Sequence, residues 1–206
     1  MKRLMALCAP IATAAVLVLA PAAAQAESDT YWYAHKQILT EILPVEFHGM
    51  SSIYLGSYGF RTTCSTRGAG GIANAEGEGG YSEITELHFD RCRVEVGLEH
   101  LNSFKRCAPH TKPEIAAEGL PWSGFLTSEQ QDVTEGVHFV LSCSGAEPEE
   151  ISGSIVALVG AGRLQFGQEY FDEHSNFLEP DALFTGVWRI VGPVGYRPIT
   201  ALEVVD

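Results

Sequence analysis

The chain has 206 residues, 46% of them hydrophobic, and sets 13 basic against 26 acidic side chains for a formal charge of −13. That balance argues against nucleic acid as a partner, because phosphate binding demands a basic face and Arg61, Arg67, Arg91, Arg93, Lys105 and Arg106 are interleaved with acids. The length is enough for one domain and requires no second.

At the N-terminus, Lys2 and Arg3 precede an apolar stretch from Ile11 to Ala20, followed by Pro21 and Ala24-Gln25-Ala26. A charged start, a short apolar middle and small residues at the −3 and −1 positions form a signal peptide cleaved after Ala26. A retained anchor needs roughly 20 apolar residues, and Pro10 and Pro21 bracket a shorter run. Cys8 follows Leu7 and lies ahead of the apolar stretch, the wrong setting for lipid attachment. The expected mature domain is 27–206, with no membrane span after cleavage. Its charge is −15, since Lys2 and Arg3 leave with the leader.

Period 2 dominates the mature sequence. From Tyr31 to Leu43, Ala34, Ile38 and Ile42 recur at helical spacing, but no cap opens the segment and Pro44 closes it. Two short strands, Lys36 to Leu39 and Pro44 to His48, fit the surrounding rhythm better. Phe60, Thr62 and Cys64 form the next inward row. Gly68-Ala69-Gly70-Gly71 and Gly77-Glu78-Gly79-Gly80 read as a long flexible connection, and neither fits a phosphate-binding loop. Leu87 and Phe89 switch phase to Cys92, Val94 and Val96 across Asp90-Arg91, which predicts a bulge. Trp122 anchors a strand entry, and Ser128 to Glu135, polar on all sides, reads as a loop. Val137, Phe139, Leu141 and Cys143 make the clearest strand. Ile151, Ile155, Ala157 and Val159 follow after Gly145-Ala146-Glu147-Pro148, so the two segments predict an antiparallel hairpin. Leu164 with Phe166, and Val187 to Val191, complete the set. The fold class is all-β, an antiparallel sandwich or barrel-like domain of eight or more strands.

Four cysteines remain once Cys8 leaves with the leader, an even number suited to an oxidising compartment. Of three possible pairings, Cys92 with Cys107 closes a local loop around His100 and Asn102, and Cys64 with Cys143 ties two distant strands. That combination is the favoured expectation. Structural zinc prefers close pairs, and no two of these cysteines lie nearer than fifteen positions.

The ordered set Phe60-Arg61-Thr62-Thr63-Cys64, Ile84 to Phe89 running to Cys92, Gly119-Leu120-Pro121-Trp122, and Val137 to Cys143 resembles a group of uncharacterised exported actinobacterial proteins. More distantly, the layout resembles exported proteobacterial proteins named as activators of alkane oxidation. The resemblance implies a secreted β fold with an envelope or matrix role and brings no catalytic residues. The acidic stretches Glu147-Pro148-Glu149-Glu150 and Tyr170 to Pro180 depart from the group.

Glu169, Asp172, Glu173 and His174 gather ligand types suited to a divalent ion, but without EF-hand spacing an acidic solvated loop is the plainer reading. No Gly-x-Ser-x-Gly elbow frames a serine. His88 and His138 occupy the polar phase of their strands and could meet on one sheet face. Trp32, Trp122 and Trp188 could stack on sugars, although core packing explains Trp122 and Trp188 better. No cofactor is implied. The expectation is a non-catalytic envelope or extracellular protein that presents loops or a sheet face to a surface polymer, a protein partner or another copy of itself. The alternative is a secreted hydrolase of carbohydrate or ester substrates, recognisable by a concave pocket holding a carboxylate or histidine of perturbed pKa beside aromatic rings.

Overall fold

A computed structural model describes residues 30–34, 37–55, 60–75, 79–96, 112–127, 129–143, 147–160, 162–167, 176–179, 182–192 and 200–203. The elements are all strands: β1 (Thr30–Ala34), β2 (Gln37–Ile38), β3 (Leu43–Leu55), β4 (Phe60–Ala75), β5 (Gly79–Val96), β6 (Glu114–Ala117), β7 (Trp122–Leu126), β8 (Gln131–Ser142), β9 (Glu149–Gly160), β10 (Arg163–Phe166), β11 (Asn176–Glu179), β12 (Ala182–Val191) and β13 (Thr200–Glu203). The segment at Tyr31 is extended, and the two strands expected around Lys36 to Leu39 and Pro44 to His48 are β2 and the start of β3.

Ten strands form one sheet that closes on itself, so the architecture is a barrel and not a sandwich. The wall has eight positions because two of them are shared. β6 and β7 both run between β5 and β8, and β10 and β11 both run between β9 and β12. Each neighbouring pair is antiparallel and the strands follow one another around the ring, with β12 pairing β3 over ten residues to complete it. Ring closure removes the two edge strands that an open sheet would have.

Alternation fills the inside. On β3, Leu43, Val45, Phe47, Ile53 and Leu55 are buried while Pro44, Glu46 and His48 face out. Rings then interlock across the lumen: Phe47 stacks on Trp188 at 4.9 Å, Phe184 on Phe139 at 5.4 Å, and Trp122 meets Phe139 edge-on at 5.3 Å. Among the described residues these rings pack the lumen as a core. The indole N–H of Trp188 would be stranded there, and it donates to Ser51 Oγ at 2.7 Å, which also accepts from Thr66 Oγ1 at 2.7 Å. With apolar side chains inside and Glu46, His48, Arg61, Arg67 and Arg189 outside, the wall is the reverse of a membrane-spanning barrel. Among the described residues no helix is long and apolar enough to cross a membrane.

One end is stoppered. β1 pairs with β2 and β13 in a separate small sheet that places Trp32, 1% exposed, against the hairpin between β4 and β5. Asn74 holds it by accepting the Trp32 N–H at 2.7 Å and donating to the Trp32 and Leu39 carbonyls, each at 3.0 Å.

The expected bulge in β5 is present. The pairing with β4 shifts between Thr63 and Ser65, and Arg91 sits there at φ 53°. That shift sets Cys92 against Cys64, and the two form a disulfide of sequence separation 28. The favoured pairings of Cys64 with Cys143 and of Cys92 with Cys107 are therefore corrected. Both cysteines lie on the inward phase of neighbouring strands, and the bulge restores Cys92 to that phase. Cys143 is also disulfide-bonded, to a partner outside the described residues.

Two loop expectations are overturned. Gly68 to Gly71 lie inside β4, where the strands close tightly: a Cβ on Gly70 would fall 1.9 Å from the Glu83 carbonyl oxygen, and one on Gly68 2.3 Å from the Phe47 ring. Gln131 to Glu135 belong to β8, with Asp132 and Thr134 buried, and the bulge at Gly136 (φ 68°) hands the inward phase on to Val137.

Candidate functional site

Among the described residues the larger clefts lie on the wall. They fall where β5 outruns β6. Among the described residues those strands share a single paired position, His88 with Ala116, although β5 continues to Val96. Two adjoining clefts lie along this stretch. One, of about 920 Å³, is lined by Phe89 to Val94 and Lys112 to Ile115. The other, of about 570 Å³, is lined by Arg67, Thr85 to Asp90, Ile115 to Ala117 and Leu120. Phe89, Asp90 and Ile115 line both, so the pair forms one elongated groove.

Its chemistry is two-sided. Inward-phase Leu87, Phe89, Val94 and Ile115 pack against the core and supply an apolar floor. Charged side chains populate the rim. Arg67 and Asp90 neutralise each other, Nε to Oδ2 at 3.2 Å. Arg91, Arg93 and Lys112 have no ion-pair partner among the described residues, and Glu114 is the acid beside them. Arg91 is notable for its backbone. A non-glycine residue in the left-handed region costs about 1 kcal/mol, so the bulge carries an arginine where glycine would be cheaper.

Among the described residues the clear electrostatic perturbation lies elsewhere. Asp132 is 4% exposed on the inner face of β8. Burial pushes its carboxyl up to about 6, against a smaller opposing effect from Ser82, whose Oγ–H donates to Oδ1 at 2.7 Å. Gly124 makes room for this contact, since a Cβ there would lie 2.3 Å from Ser82 Oγ and 2.8 Å from Asp132 Oδ1. The group is sealed within the core and does not line either cleft.

Other sequence-derived candidates scatter. β6 runs between the strands bearing His88 and His138, and His138 Nε2 instead approaches Glu150 Oε2 at 3.9 Å. Trp32, Trp122 and Trp188 are all buried and present no stacking platform. Trp122 spends its indole N–H on the Glu118 carbonyl at 2.9 Å. Glu169, Asp172, Glu173 and His174 lie outside the described residues, as does Cys107. Among the described residues no three histidine, cysteine or acidic side chains gather as a metal site.

No family model, curated protein or solved structure matches this chain. The groove and Asp132 both escaped the sequence reading. Arg67, Arg91, Arg93 and Lys112 are spread over 46 positions and converge only through the register of β4, β5 and β6. Asp132 was hidden by a segment that looks polar throughout. The available signal was the i, i+2 pair Asp132 and Thr134 ahead of a glycine.

Proposed function

We propose that the mature chain is an exported, non-catalytic binding protein of the envelope or extracellular space, and that the groove between β5 and β6 is its working surface. The observation that carries this reading is the contrast, among the described residues, between a lumen filled with aromatic rings and a groove lined by β5 and β6. Among the described residues the lumen is filled by the barrel's own rings, whereas the groove joins an apolar floor to cations that have no ion-pair partner among those residues. Export is supported by the leader-like N-terminus and the Cys64–Cys92 disulfide, which persists outside the reducing cytoplasm. The resemblance to exported actinobacterial proteins points the same way.

The hydrolase alternative calls for a perturbed acid or histidine in an open pocket, and the perturbed Asp132 is enclosed instead. The test is a panel of glycoside and ester substrates offered to the mature protein, alongside amide exchange in the presence of envelope polymers. Protection of β5 and β6 without turnover supports the reading. Turnover abolished by changing one carboxylate overturns it.

A further inference from the structure

The groove gathers Arg67, Arg91, Arg93 and Lys112 against Glu86, Asp90 and Glu114 in a chain of strongly negative balance, and this inference rests on its being the working surface. We infer that it binds one class of ligand, an acidic glycan, with Arg91, Arg93 and Lys112 engaging the acid groups.

Three observations converge. First, charge: the larger cleft holds Arg91, Arg93 and Lys112 against Asp90 and Glu114, and Asp90 is already engaged by Arg67. Among the described residues lining the two clefts, the cations without an ion-pair partner, Arg91, Arg93 and Lys112, therefore exceed the acids without one, Glu86 and Glu114, in a chain where acids outnumber bases two to one. An anion entering there finds charge-assisted donors without having to break an existing ion pair. Second, shape: two clefts joined end to end through Phe89, Asp90 and Ile115 make a run, which suits an extended chain better than a compact metabolite. Third, the floor: Phe89, Val94, Pro113 and Ile115 give an apolar bed on which the C–H face of a sugar ring can lie while its carboxylate reaches the rim. The left-handed Arg91 fits this picture, because the bulge aims a cation at the cleft at the expense of backbone ease. Duplex nucleic acid is disfavoured by the small number of free cations and the strongly negative remainder of the surface.

The experiment uses the disulfide-intact mature chain and calorimetric titration at low and moderate salt. The probes are an oligogalacturonate, its neutral oligogalactose counterpart, an oligoglutamate of equal charge and a duplex oligonucleotide. Oligogalacturonate is expected to bind, to weaken with salt, and to outbind the other three by at least tenfold. Combining Arg91→Glu, Arg93→Glu and Lys112→Glu should abolish measurable binding. Arg163→Glu with Arg189→Glu, an exposed pair on the adjacent strands β10 and β12, should leave it unchanged. Matching circular dichroism and melting curves establish that each variant is folded. Absence of oligogalacturonate binding, preference for the peptide or the nucleic acid, or equal binding by the triple variant overturns the inference. A different ligand that still protects β5 and β6 from amide exchange would sink the glycan assignment and spare the groove, whereas a ligand that protects only another face sinks both.

Discussion

Replacing Asp132 with asparagine should make the protein more stable at neutral pH and leave it almost unchanged in acid. The carboxyl moves from 3.8 to about 6 on folding, through burial, with Ser82 holding Oδ1 at 2.7 Å. At 1.36 kcal/mol per pH unit, the ionised group opposes folding by roughly 3 kcal/mol. The sign follows from proton counting. Between the two values the folded state binds more protons than the unfolded state, so stability falls as pH rises from about 4 through about 6, and the loss is complete above that. Asparagine is near in shape, keeps an acceptor for the Ser82 hydroxyl and carries no charge at any pH. In chemical denaturation with disulfides intact, Asp132→Asn should gain roughly 3 kcal/mol at pH 7.5, or about 6–12 °C in Tm for a domain of this size, and under about 1 kcal/mol near pH 4. The informative quantity is the difference between variant and parent across pH, because other titrating groups cancel in it. A difference independent of pH, or a variant destabilised by the same amount throughout, would refute the claim that desolvation of this carboxylate governs the effect.

Peptide mapping of the unreduced chain 27–206 should recover Cys64 joined to Cys92, with Cys143 joined to Cys107, the one other cysteine in that span. A Cys64–Cys143 peptide would contradict the barrel register. Within the glycine run, Gly70→Ala should lose about 1–3 kcal/mol by thermal melting, as overpacking against the Glu83 carbonyl requires. Its neighbour Gly71→Ala, whose Cβ would meet the Ile42 methyl at 3.1 Å and the Leu43 carbonyl oxygen at an ordinary 4.0 Å, should lose far less. Arg91→Gly should gain up to about 1 kcal/mol by relieving the left-handed backbone while weakening oligogalacturonate binding, so that the two readouts move in opposite directions.

Alternation made most of the wall legible from sequence. Val137, Phe139 and Leu141 against Ile151 and Ile155 gave a hairpin whose register is now seen as Phe139 opposite Ile151, and the phase change at Asp90-Arg91 announced its bulge. Ring closure was not legible, because inward rows on successive strands serve a sandwich and a barrel equally well. The glycines misled because chain flexibility and close strand approach use the same residue. Ser128 to Glu135 misled because a buried Asp132 and Thr134 look like solvent-facing positions until Ser82 and Gly124 are brought beside Asp132. The disulfide was half legible. Both cysteines stood on inward phases, but their pairing depends on which strands are neighbours, and that is a fact of topology.

The groove is the central claim, and amide exchange on the mature chain, with and without the acidic polymer fraction of its own host's envelope, tests it most directly. Slowed exchange confined to Phe89–Val94 and Lys112–Ala117, with β3, β9 and β12 unaffected, is the predicted result. Slowed exchange on the opposite wall, with β5 and β6 exchanging at their free rates, would contradict it.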